Sequence, residues 1–123
     1  MNPQIQHALE TERTIDITTI GRKTGQPRRV EIWFHNIDGR LFITGTPGTR
    51  DWYANMVANP EFTFHLKESG QADLPARAAP ITDPQQKRAI LTAIIASLDG
   101  DRDVERWVQD SPLVEVILQT ETQ

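Results

Sequence analysis

The sequence predicts a mainly β domain with short helices: about six antiparallel strands forming a small barrel or half-open sheet. Three observations carry this expectation. Apolar and polar residues alternate with a period of two in several short runs. An Asp38-Gly39 pair falls between two of those runs, where a hairpin would turn. Helical stretches are short and come late, so strands do not alternate with crossover helices as a doubly wound α/β sheet requires.

The elements follow in chain order. Thr14 to Ile20 (TIDITTI) sets Ile15 and Ile17 on one face and Asp16 and Thr18 on the other, a strand that ends at Gly21. Arg29 to Ile37 repeats the pattern, with Val30, Ile32 and Phe34 opposite Glu31, Trp33 and His35. Asp38-Gly39 turns the chain because both residues accept positive φ, and Leu41 to Gly45 is the returning strand. Pro47-Gly48 marks a loop, Thr49 or Asp51 can cap a helix of about two turns, and Asn59-Pro60 stops it. Phe62, Phe64 and Leu66 alternate with Thr63, His65 and Lys67, and Glu68-Ser69-Gly70 returns the chain into Gln71 to Ile81. Pro75 and Pro80 each lack a backbone donor, which predicts an edge position or a bulge for that return strand. Asp83-Pro84-Gln85-Gln86 reads as a capped helix start, with Ile90, Leu91, Ile94, Ile95 and Leu98 at helical spacing and Gly100 ending the run. A shorter helix over Asp103 to Gln109 leads through Ser111-Pro112 to a last strand, Leu113 to Gln119. The predicted core contains Val30, Ile32, Phe34, Phe62, Phe64, Leu66, Val114 and Val116.

Composition narrows the function classes. At 123 residues and 13.9 kDa the chain fits one domain, residues 1–123, with one site. No apolar run is long enough to cross a bilayer, and MNPQIQHALE has no basic segment followed by an apolar stretch, so a cytoplasmic protein is expected. There is no cysteine, which rules out disulfides, thiolate metal sites and a cysteine nucleophile. His35 and His65 have no carboxylate at metal-ligand spacing, and Ser69, Ser97 and Ser111 lack a nucleophile-elbow context. No metal site and no hydrolytic triad are therefore expected, and no catalytic side chain is assigned. A net charge of -4 argues against nucleic-acid binding. Open strand edges on so small a half-barrel predict that the chain pairs with itself as a homodimer.

Against that acidic background, GRKTGQPRR concentrates Arg22, Lys23, Arg28 and Arg29 in one turn. Gly21 and Gly25 let backbone N–H groups turn inward, and Thr24 adds a hydroxyl, so the turn can hold a phosphate or carboxylate. The spacing is neither that of a Walker loop nor that of a dinucleotide fingerprint. Taken alone, an anion site and a solvated charged turn stand level.

TTIGRKTGQPRR (18 to 29), DGRLFITGTPG (38 to 48) and DWYANMVANPEFTFHL (51 to 66) together resemble the deazaflavin (F420)-dependent nitroreductase family, within the split β-barrel, FMN-binding-like flavin and deazaflavin oxidoreductases. The resemblance is close over roughly residues 13 to 82 and looser beyond. It implies that Arg22, Lys23, Thr24 and Arg28 hold the phosphate and acidic tail of coenzyme F420. It also implies that Gly45, Thr46, Pro47, Gly48, Trp52 and Asn55 lie against the ring, whereas the i, i+4 spacing of Trp52 and Met56 reads alternatively as the buried face of a small helix. The activity implied is hydride transfer from reduced F420 to a quinone-like or other planar small molecule, the cofactor carrying the chemistry. FMN in the same cleft, or a non-catalytic flavin or tetrapyrrole carrier, are the alternatives. Three departures bear on the site, the first being a loop from Gly45 to Asp51 shorter than the family's usual glycine-rich version. Glu31 stands where many members carry proline, and its carboxylate would disfavour an anionic reduced ring unless it points outward. The tyrosine-rich wall of nitroimidazole-reducing members has no counterpart in DGDRDVERWVQD, which keeps only Trp107, so nitroimidazole reduction is not expected.

Overall fold

Among the described residues, seven antiparallel strands curl into a half-barrel with four short helices around it. The computed structural model describes residues 2–98, 100 and 102–119. The elements are α1 (Pro3–Thr11), β1 (Thr14–Ile20), β2 (Pro27–Trp33), β3 (His35–Ile37), β4 (Arg40–Thr44), α2 (Asp51–Ala58), β5 (Glu61–Leu66), β6 (Ala72–Pro80), α3 (Pro84–Ala96), α4 (Val104–Asp110) and β7 (Leu113–Leu118). The sheet order is β2-β1-β5-β6-β7-β4-β3.

The expected strand Arg29 to Ile37 is two strands. Its first part pairs with β1 and its last part with β4, the bend falling at Phe34. Phe34 is buried, stacking edge-to-face on Phe64 with centroids 5.3 Å apart, and its N–H bonds the Arg13 carbonyl at 2.9 Å. Because β2 and β3 are joined through this one residue, the two ends of the sheet are covalently continuous. The count of about six follows if the bent strand is taken as one.

The β3–β4 hairpin turns on Asp38 at φ 53° and Gly39 at φ 86°, the two positive angles a two-residue turn needs. β4 is buried on both faces: Leu41 and Ile43 enter the barrel interior, and Phe42 packs outside it with Leu91, Ile94, Trp107, Val108 and Leu113 beneath α3 and α4. Of the predicted core, Phe34, Phe62, Phe64, Leu66, Val114 and Val116 are buried in the interior and Ile32 packs against it. Val30 is a correction: it lies on the inner face of β2 but is 42% exposed, because that strand edges a cleft instead of the closed part of the barrel.

β6 corrects a second expectation, since it is an interior strand paired with both β5 and β7. Strand parity explains how two prolines are accommodated. The missing N–H of Pro75 faces β7 only at that strand's last rung, where the Pro75 carbonyl still accepts from the Gln119 N–H at 2.9 Å. The missing N–H of Pro80 faces the β5 side, beyond the point where β5 begins.

Helix starts differ in how they are capped. Asp83 accepts from the Gln86 N–H at 3.0 Å, as expected, with Pro84 in the first turn. For α2 neither Thr49 nor Asp51 caps; Arg50 occupies that position without a side-chain cap and Asp51 lies in the first turn. α1 was not anticipated, although Asn2 accepts from the Gln4 N–H and Pro3 follows it, a legible start signal. Among the described residues no helix is long and apolar enough to cross a membrane.

Candidate functional site

The hairpin between β1 and β2 builds one wall of the site. Gly21 donates to the Gln26 carbonyl and Gly25 to the Gly21 carbonyl, both at 2.8 Å, closing the turn on itself. A Cβ at Gly21 would come within 2.7 Å of the Thr24 hydroxyl, so glycine is what allows this closure. The register that follows pairs Thr19 with Arg28 and Ile17 with Val30 on the inner face, and Thr18 with Arg29 and Asp16 with Glu31 on the outer face.

The inner face meets α2 to form a cleft of about 330 Å³, whose lining includes Arg22, Lys23, Thr24, Arg28, Trp52 and Asn55. Six of the ten expected site residues thus converge. Gly45, Thr46, Pro47 and Gly48 form the loop leading into α2 and do not line this cleft. That loop is tied down by Arg50, which donates to the Thr46 carbonyl at 3.0 Å, the Thr46 hydroxyl at 2.9 Å and the Thr49 carbonyl at 3.0 Å, while the Gly48 N–H bonds the Asp110 carbonyl of α4 at 3.0 Å.

The cations of the turn divide by partner. Arg22 is engaged: its backbone N–H and guanidinium reach the Asn55 Oδ1 at 3.1 and 3.0 Å, and Asp51 lies 3.5 Å away. Asn55, 4% exposed, donates its Nδ2 to the Thr19 hydroxyl at 3.3 Å, so its amide is satisfied within the protein. Arg29 points to the outer face and bonds Asp16 at 2.9 Å. The side chains of Lys23 and Arg28 have no hydrogen-bond or ion-pair partner among the described residues, and both line the cleft. Thr19, and Val30 which the sequence placed in the core, join the lining without having been assigned to the site from sequence. Strand alternation alone ties them to Arg28, but only once the length of the turn fixes the pairing.

Glu31 lies on the outer face, away from the cleft, paired with Lys67, which also bonds Asp16 at 2.7 Å. Lys67 and Arg29 together hold the Asp16 carboxyl below its ordinary value. His65, 7% exposed, lies between the Thr18 hydroxyl and the Asp73 carboxylate, each at 2.7 Å, which lowers the Asp73 pKa. His35 is pushed down to about 4, first by burial and then by the Arg13 cation. No group of three or more His, Asp or Glu capable of holding a metal occurs among the described residues.

The sequence matches the F420H(2)-dependent quinone reductase family over residues 1–119. Solved structures with the same fold include a conserved hypothetical protein from Mycobacterium tuberculosis, at TM-score 0.71 and 18% identity, covering 98% of this chain and 82% of that one. An F420 reductase aligns at TM-score 0.66 and 21% identity over 94% of this chain and 93% of that one. A FAD-binding protein from Mesorhizobium loti aligns at TM-score 0.67 and 15% identity, covering 98% and 91%.

Proposed function

The chain belongs to the F420H(2)-dependent quinone reductase family, and from that premise we propose that the cleft between the β1–β2 turn and α2 holds the acidic tail of coenzyme F420. Membership makes the protein an F420-dependent reductase of quinone-type acceptors. The coenzyme, when bound, supplies the hydride.

The observation that carries the site assignment is a pair of cations, Lys23 and Arg28, whose side chains have no partner among the described residues and face one cleft in a protein of net charge -4. Two cations beside the Thr19 and Thr24 hydroxyls are a donor set suited to phosphate and carboxylate oxygens. The cleft volume of about 330 Å³ is at the small end for a ligand site, which suits the tail more than a whole coenzyme with its tricyclic ring. The ring then belongs toward the Gly45, Thr46, Pro47 and Gly48 loop, held by Arg50, with Trp52 and Val30 as apolar surface between the two. In this arrangement Lys23 and Arg28 bind, Thr24 adds a hydroxyl contact, and Arg22 supplies charge from a position fixed by Asn55. Asn55 is a positioning residue. Glu31, neutralised by Lys67 on the far face, leaves the cleft's field positive.

A cytoplasmic location goes with this proposal, because a dissociable hydride carrier has to be re-reduced by other enzymes in a shared compartment. The test is titration of the protein with F420 and with a tail-free deazaflavin. Replacing Lys23 and Arg28 together by Ala should weaken F420 binding by about 2 to 4 kcal/mol, from ~1.5 to 3 per charged hydrogen bond less solvent screening. The tail-free ring should bind the variant as it binds the wild type. Equal losses for both ligands would mean damage to the barrel, and no loss for F420 would end the assignment.

A further inference from the structure

β2 is the terminal strand of the sheet, and every residue from Pro27 to Trp33 except Ile32 is exposed. Its hydrogen-bonding parity is fixed at both ends. Gly21 donates to Gln26 and Phe34 donates to Arg13, so the backbone groups of Arg28, Val30 and Ile32 face β1. Those of Arg29, Glu31 and Trp33, with the carbonyl of Pro27, face outward, and no strand pairs with them among the described residues. A long strand in this state is a template for another strand.

We propose that β2 pairs antiparallel with β2 of a second copy, about a two-fold axis passing through Val30. The strand is self-complementary about that residue. Arg29 falls opposite the partner's Glu31, and Glu31 opposite the partner's Arg29, so both cross-strand pairs are oppositely charged. Both side chains are more than half exposed where they stand, so their existing bonds to Asp16 and Lys67 leave them accessible. Pro27 falls opposite the partner's Trp33 at the end of the ladder, where the absent N–H costs one terminal rung and Trp33, 50% exposed, gains an apolar contact. Arg28 faces the partner's Ile32, and the two Val30 side chains meet across the axis. Because Val30 lines the cleft, the partner's Val30 adds apolar wall to each site. No other frame of the seven residues sets Arg29 opposite Glu31 in both directions while keeping the outward N–H groups in register. The inference does not depend on which coenzyme fills the cleft.

A single edge buries less than the roughly 1,000 Å² of a firm interface, so a dimer that dissociates on dilution is expected. The chain has no cysteine, so Val30→Cys places one thiol per copy at the axis. Opposed Cβ atoms about 4.5 to 5.5 Å apart in such a pair need little movement to form a disulfide. Mild oxidation of a concentrated sample should give a covalent dimer of Val30→Cys. Val57→Cys, exposed on α2, should stay monomeric. Absence of the Val30→Cys dimer, or equal cross-linking of both variants, overturns the proposal. A second measurement stands independently of the thiol. By sedimentation, Arg29→Glu and Glu31→Arg should each be monomeric alone, since each opposes like charges, and should form a heterodimer when mixed. Dimers of either variant alone, failure to associate on mixing, or a monomeric wild type at the same concentration would also overturn it.

Discussion

Asn55 joins two parts of the cleft wall that come from distant sequence, its Oδ1 taking two bonds from Arg22 and its Nδ2 giving one to Thr19. Replacing it by Leu keeps the volume and removes all three. We expect a loss of about 1 to 3 kcal/mol in urea unfolding, because buried partners are left unsatisfied, together with weaker F420 binding as Arg22 loses its fixed position. His35 predicts a pH dependence of a definite sign. Its folded pKa of about 4 lies below the ordinary value of 6.5, so the unfolded chain binds the extra proton first. Stability should fall as pH drops from 6.5 toward 4, by about 1 to 2 kcal/mol after discounting for partial exposure. His35→Gln should flatten that interval, measured as melting temperature against pH. Below it, the losses belong to Asp16 and Asp73, whose lowered pKa values make their contributions vanish on protonation. At this scale the residue types of the turn were legible, since four cations in nine residues need no structure to notice. Which of them remain unpaired was not, because the partners of Arg22 and Arg29 lie 33 and 13 positions away.

Among the elements, β6 shows that proline in a strand is a statement about one N–H direction, not about the strand's place in the sheet. Pro75→Ala should therefore change stability by less than about 1 kcal/mol, as it restores only a terminal rung. Ala76→Pro, one position on, removes a donor facing β5 opposite Phe62 and should cost about 3 kcal/mol or more. Chemical denaturation of the two variants side by side checks the parity. Sequence could not supply it, because parity depends on which strands flank β6, and β7 arrives from the far end of the chain. The same limit hid the bend at Phe34, where a continuous alternating run changes partners midway. Hairpin turns and helix starts were legible because their signals are local: Asp38-Gly39 and Asp83-Pro84 act within four residues. α1 carried an equally local signal in Asn2-Pro3.

For the whole molecule, a net charge of -4 surrounds a cationic cleft, so the global field would oppose an anionic tail that the local one would attract. Raising ionic strength from about 0.05 to 0.5 M shortens the screening length below the reach of either field. The short-range attraction should dominate the result: F420 affinity falls by about tenfold, while a tail-free deazaflavin changes by less than about twofold. Fluorescence titration across that range decides it. The fold class was legible at this scale from the lack of alternating crossover helices, whereas the way the sheet stays open depends on β2 and β3 taking opposite ends of it at the Phe34 bend. The last strand carries a further consequence. β7 lies between β6 and β4, pairing with strands that begin some 40 and 75 residues earlier. During synthesis, which proceeds from the N-terminus, both of those flanks wait with exposed ladders until Leu113–Leu118 has left the ribosome. The nascent chain is thus held in an open, adhesive form until β7 emerges, and its solubility in that interval rests on whatever shields the inner edges of β4 and β6.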